Sequence, residues 1–370
     1  MNARAVIPSE NGRLPINLSA GLKKRELPGL NGIRAIAAFL VVFYHAGLPG
    51  VSGGLGVLIF FVLSGFLITW LLLAERERTS TISFRKFYAR RTLRIFPAFY
   101  AYWLLVIAAA LVRGKVVNWA QAVCSFFYVN DYYQAIFGDP NTNLSHTWSL
   151  GIEEQFYLLW PIAFLALSGN RRRLAYILAT VIGAVWLYRI AMRFGFHVWQ
   201  GYVYEAFDMR ADHLLIGCLL AVSLRAGLFP RLWEALCSSW APGILSIAGL
   251  VACSLAEMHY GAGFRDSVIF IVAPVLSAFL ITSAIAFSGR GFWRALDWGW
   301  MRYLGRISYS IYLYQQLTVG LGEKIAAHYA LPIRVAVAAA LTVIAATGSY
   351  FVVERYFLSL KSRFSSSAAA

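Results

Sequence analysis

The sequence predicts an all-α, polytopic transmembrane bundle of about ten helices with both termini cytoplasmic. Three observations carry that prediction. Only 14% of the 370 residues are charged while 59% are hydrophobic, and a soluble domain carries about a quarter charged residues. The apolar residues gather into blocks of about 17 to 22, the length a helix needs to cross a hydrocarbon core about 30 Å thick. The basic residues sit mainly at the ends of those blocks, where they fix orientation against the membrane.

In chain order the expected spans lie near 30–48, 54–73, 95–112, 148–168, 174–192, 209–225, 242–258, 268–288, 303–321 and 333–353. Lys23, Lys24 and Arg25 precede the first. The connection at 75–94 holds Arg76, Arg78, Arg85, Lys86, Arg90, Arg91 and Arg94, so both segments are assigned to the cytoplasm. Counting onward places Arg171 to Arg173, Arg225 and Arg231, Arg290, Arg294 and Arg302, and the final Arg355, Lys361 and Arg363 on the same side. Residues 117–137 are aromatic and moderately apolar, yet a span there would put the triple arginine outside. They are read as interfacial or re-entrant. The arginine-dense run FYARRTLRIFP at 87–97 is ended by Pro97.

The net charge of +16 does not indicate nucleic acid, because no soluble basic patch exists to meet it. Cys124, Cys218, Cys237 and Cys253 form no CxxC pair, so neither a zinc ribbon nor a redox motif is expected. GGLGV at 53–57 lacks the third glycine of a dinucleotide fingerprint and has no strand before it. Residues 1–29 lack a signal-peptide pattern and read as a cytoplasmic segment. Residues 356–370 read as a cytoplasmic tail whose end, from Ser365, is expected to be disordered.

Charge inside a span costs free energy that partners or water must offset, so each such residue is a candidate functional group. Arg34 lies near the inner end of the first span and His45 eleven residues later near its outer end. Eleven residues turn a helix by about 1100°, so both share a face, separated by about 16 Å along the axis. Glu153 and Glu154 lie near the outer end of the fourth span at a depth close to that of His45. One of them, beside the imidazole, would orient it as a base toward a hydroxyl. Asp208, Arg210, Asp212 and His213 open the sixth span. An Arg210 to Asp212 ion pair closing the helix end is expected there, with acceptor binding as the other reading. The arginines of 85–94 suit lipid head groups and phosphorylated ligands equally.

Taken together, several stretches resemble the acyltransferase 3 family of membrane acyltransferases. They are LPGLNGIRAIAAFLVVFYHAG, GVLIFFVLSGFLIT with Ser64, FYARRTLRIFPAFY, HTWSLGIEEQFYLLWP with Trp148, MRADHLLIGCLLA and LGRISYSIYLYQ. The resemblance covers about residues 27–355, making 30–355 one transmembrane catalytic domain. It implies acylation of carbohydrate or small-molecule hydroxyls from acetyl-CoA or another acyl-CoA, with no permanently bound cofactor and no metal. It further implies His45 as catalytic histidine, Glu153 as its acidic partner, Arg34 as a donor-positioning residue, and Arg90, Arg91 and Arg94 as contacts to the donor phosphates. Glu154, Ser64, Trp148, Arg210 and Asp212 would support the site. The cytoplasmic membrane is the expected location and its lipid an expected partner. Gln315 stands where the family's ninth helix commonly has a histidine, and it cannot titrate near neutral pH. The competing class is a transporter or channel in which the same charges line a polar path. No pair of corresponding halves with broken helices supports it.

Overall fold

The computed structural model describes residues 14–24 and 26–364. The expected disorder from Ser365 onward, and Arg25, lie outside those residues. Among them there are helices and turns and no strand. In order the helices are α1 (Ile16–Leu22), α2 (Leu30–His45), α3 (Gly53–Thr79), α4 (Phe84–Val112), α5 (Trp119–Phe126), α6 (Asn130–Phe137), α7 (Trp148–Leu167), α8 (Arg171–Ile190) and α9 (Gln200–Glu205). They continue as α10 (Phe207–Ala226), α11 (Pro230–Cys237), α12 (Ala241–Phe264), α13 (Phe270–Ala286), α14 (Gly299–Arg306), α15 (Ser308–Ile325), α16 (Leu331–Ser349) and α17 (Arg355–Leu360). Local chemistry sets several starts. The side chains of Ser52, Ser83, Asn118 and Asn170 each accept from the backbone N–H three residues on, satisfying a donor that a helix start leaves free.

The expected apolar blocks fall on helices, with 303–321 divided between α14 and α15. Six helical stretches among the described residues are long and apolar enough to cross a membrane, or seven if the pair Gln200–Ala226 and Pro230–Cys237, bent by 101°, is one span. One of the six, Ala241–Ala286, has 46 residues, about 69 Å if straight and therefore twice a bilayer. Gly261, at φ 71°, breaks it, and α12 packs back against α13, which accounts for two expected blocks. The 16 residues of α2 reach only about 24 Å. This helix lies against α3, α14 and α15 inside the bundle.

Pro97 lies inside α4, which runs without interruption to Val112, since one lost backbone bond is tolerated where neighbouring elements surround the helix. Residues 117–137 form two helices of 8 residues each, about 12 Å apiece, too short to cross. They are joined through Tyr128 at φ 57°. Near the N-terminal end, α1 buries Leu18 and Leu22 and packs against α13.

One of the tightest crossings joins α3 and α10. A Cβ on Gly65 would stand 1.9 Å from the Leu214 carbonyl oxygen, and one on Gly217 2.1 Å from that of Val62. Only glycine lets these backbones meet at that distance.

Candidate active site

Two cavities line up along the α2 face that carries Arg34 and His45. The inner one, about 60 Å³, is lined by Arg34, Ser64, Arg91, Arg94, Glu153 and Tyr157 among others. The outer one, about 570 Å³, holds His45 with Asp139, His146, Trp148, Glu205 and Gln316. Val57 and Tyr312 line both and form their common wall.

The inner cavity draws on five helices, α2, α3, α4, α7 and α15. Arg34 of α2 donates through Nε to the Ser308 hydroxyl at 3.2 Å. Arg91 and Arg94, one turn apart on α4, enter from the side, and the Arg91 guanidinium lies 3.7 Å from the Tyr157 ring centroid. Ser64 of α3 and Tyr157 of α7 share a short hydroxyl hydrogen bond. Glu153 of α7 faces Arg91, Ser64 and Arg34. Three guanidinium groups therefore surround one carboxylate, an excess of cation in a poorly solvated space that favours an anion. Lys361, just past the last helix, comes within electrostatic range of Arg94, Arg91 and Arg90. Its burial, followed by those three like charges, pulls its ammonium down to about 8.

In the outer cavity, the Nδ1 of His45 meets the Val41 carbonyl at 2.9 Å. A carbonyl only accepts, so Nδ1 carries the hydrogen and Nε2 presents a lone pair. The Tyr44 ring stands edge-on to the imidazole with centroids 5.2 Å apart. Aromatic walls (Trp148, Tyr204, Tyr312) alternate with polar tips (Asp139, Asn141, Glu205, Gln316).

The expected residues thus divide. Arg34, Ser64, Arg91, Arg94 and Glu153 come together in the inner cavity, while His45 and Trp148 line the outer one. The expected pairing of Glu153 with His45 is corrected: Glu153 belongs with the arginines, and the carboxylate within electrostatic range of His45 is Asp139. A shared depth did not make neighbours, because the α7 face bearing Glu153 meets α3 and α4. Glu154, about 100° round the helix, lines neither cavity. Arg90 also stands outside both, bound to Glu75 at 3.1 Å and to the Phe364 carbonyl at 2.9 Å.

The Arg210 to Asp212 pair is corrected as well. Asp212 pairs with Arg189 of α8 at 2.9 Å, both fully buried, because positions i and i+2 of a helix point apart. Arg210 instead donates to His213 and to the Tyr204 carbonyl and lies 3.9 Å from the Phe270 ring centroid. Gln315 is buried and donates only to Gln316; it is Gln316 that reaches the outer cavity. Sequence reasoning passed over His146, Tyr312 and Arg189, and placed Lys361 only as a cytoplasmic charge. The first had a signal, as it opens the HTWSL stretch, and the others look like ordinary helix residues.

Among the described residues, no group of three or more His, Cys, Asp or Glu side chains is placed to hold a metal ion.

A membrane-embedded helical bundle with an arginine cavity on one side of a tyrosine wall and an imidazole cavity on the other has the layout of a group-transfer protein. The chain belongs to the acyltransferase domain family, whose profile matches residues 27–354. It is 33% identical over 329 residues to a putative peptidoglycan O-acetyltransferase of Bacillus subtilis (strain 168), covering 81% of this chain and 50% of that protein. It is 30% identical over 319 residues to a peptidoglycan O-acetyltransferase of Listeria monocytogenes serovar 1/2a, covering 79% and 49%. An O-acetyltransferase of Staphylococcus aureus (strain NCTC 8325) is 32% identical over 315 residues, covering 78% and 50%. The chain spans about half the length of these relatives. No solved structure matches it.

Proposed function

We propose that this protein is a multi-pass O-acyltransferase of the cytoplasmic membrane that moves an acyl group, acetyl above all, from acyl-CoA to a hydroxyl of a carbohydrate. In this reading the chain crosses the bilayer ten times and keeps both termini in the cytoplasm. The observation that carries it is the pair of cavities with one wall. Arg34, Arg91 and Arg94 suit a phosphorylated donor on the inner side. His45 Nε2 suits a hydroxyl proton on the outer side.

Aromatic faces interleaved with carboxylates and amides suit a sugar, which presents apolar ring faces and hydroxyl edges together. The relatives of Bacillus subtilis and Listeria monocytogenes, named as peptidoglycan O-acetyltransferases, agree with a carbohydrate acceptor. Glu153 in this scheme offsets part of the arginine charge and orients the guanidinium heads. His45 takes the hydroxyl proton as the oxygen attacks the thioester carbon, and the thiol leaves toward the arginines. The test is thiol release from acetyl-CoA by the purified protein with and without a chitooligosaccharide. His45→Ala is expected to lower acceptor-dependent release at least about a hundredfold. Undiminished release by a well-inserted variant would overturn the role.

A further inference from the structure

We propose that His146 is a second catalytic imidazole of this site, donating a hydrogen bond to the acyl oxygen during transfer; the inference rests on the acyltransferase reading above. The residue is 5% exposed, and neither Nδ1 nor Nε2 has a hydrogen-bond partner among the described residues. The Leu313 carbonyl approaches it without meeting hydrogen-bond geometry. A buried imidazole left unpaired costs about 1–3 kcal/mol, a penalty that a ligand reaching the ring would remove.

The surroundings fix the ring in place while leaving its nitrogens free. His146 sits in a short turn, Ser145–Thr147, ahead of α7. Asn130 and Gln134 of α6 hold that turn by donating to the Leu144 and Ser145 carbonyls at 3.2 and 2.8 Å. Tyr102 and Tyr312 stand edge-on to the ring, with centroids 5.5 and 5.4 Å away. The same Tyr312 divides the two cavities, and its hydroxyl donates to the His146 carbonyl at 2.9 Å. His146 therefore stands beside the wall that an acyl group must pass, lining the same cavity as His45 and within electrostatic range of it.

The step balances as follows. The acceptor O–H bond breaks and its proton goes to His45 Nε2, a carbon–oxygen bond forms, the carbon–sulfur bond breaks, and the proton passes to the departing sulfur. His146 holds the acyl oxygen while it carries negative charge and ends with the proton it began with.

The test compares His146→Phe, which keeps a ring against Tyr102 and Tyr312, with His146→Asn, which keeps a donor. Both are assayed as full-length protein in nanodiscs with acetyl-CoA and chitotetraose, and in cells by ester-linked acetate on envelope glycan. The expected result is a kcat loss of about 10²–10³-fold for Phe with acetyl-CoA binding unchanged and melting temperature equal or higher, and recovery of at least tenfold of that by Asn. Transfer by His146→Phe within threefold of the unaltered protein would overturn the proposal, as would equal losses in both variants. If His146→Phe fails to fold, a folded His146→Asn decides, since its transfer must exceed that of a folded His146→Ala. Purified protein inert with acetyl-CoA while cells acetylate would sink only the donor reading, and the cell assay then judges His146. Absence of acyl transfer in both settings would remove the acyltransferase reading and this proposal with it.

Discussion

Replacing Asp212 by Asn is expected to cost the bundle about 3–5 kcal/mol, because it strands a buried cation. Arg189 and Asp212 are both 0% exposed. Arg189 donates to Asp212 Oδ1 and Oδ2 at 2.9 and 3.1 Å, and to the carbonyls of Met209, Asp266 and Phe270 at 2.7, 3.1 and 3.2 Å. Trp186 Nε1 adds a bond to Asp212 Oδ2 at 2.9 Å. Every guanidinium nitrogen thus has a partner, and α8, α10 and the start of α13 meet at one side chain. The Asp266 carbonyl is available because residues 265–269 form a wide helical turn, which leaves carbonyls unpaired. Asparagine preserves shape and most contacts but removes the negative charge. The double change Arg189→Met with Asp212→Leu removes both charges and is expected to recover more than half the loss, giving a coupling energy above about 2 kcal/mol. The assay is thermal unfolding in nanodiscs, followed by fluorescence-detected chromatography. A loss below 1 kcal/mol for Asp212→Asn, or strictly additive single effects, would refute the argument.

Three further outcomes follow from the same geometry. Gly65→Ala is expected to reduce folded yield severely, since its Cβ would meet the Leu214 carbonyl oxygen at 1.9 Å, whereas Gly320→Ala, with nothing within 4 Å, should be neutral; equal yields would contradict the close α3 to α10 crossing. Asp131, outside the spanning helices, has its carboxyl raised by burial to about 7 from an ordinary 3.8, so the unfolded chain releases this proton first and stability falls as pH rises from about 4 to 7. Asp131→Asn should flatten that limb and raise the melting temperature at pH 8 more than at pH 5, and an unchanged slope in melting scans would count against it. Lys361, lowered to about 8, is expected to regain its proton when a phosphorylated donor binds, so acetyl-CoA affinity should weaken as pH rises through 8 and beyond. Isothermal titration of Lys361→Met should show a shallower pH dependence, and an identical one would separate this lysine from the donor.

The composition by itself determined that the chain belongs in a bilayer, because hydrophobicity and span length are properties of local sequence. The same holds for the shared face of Arg34 and His45, which helical periodicity fixes without any neighbour. Tertiary packing alone decided which charges meet. Asp212 turned to an arginine 23 residues earlier instead of the one two positions away, and Glu153 joined the α4 arginines while Asp139, on a connecting loop, approached His45. Sequence spacing reports depth and angle on one helix, whereas partners are chosen by how helices rotate and cross. A desolvated charge in such a bundle accepts whichever counter-charge the crossing brings to it.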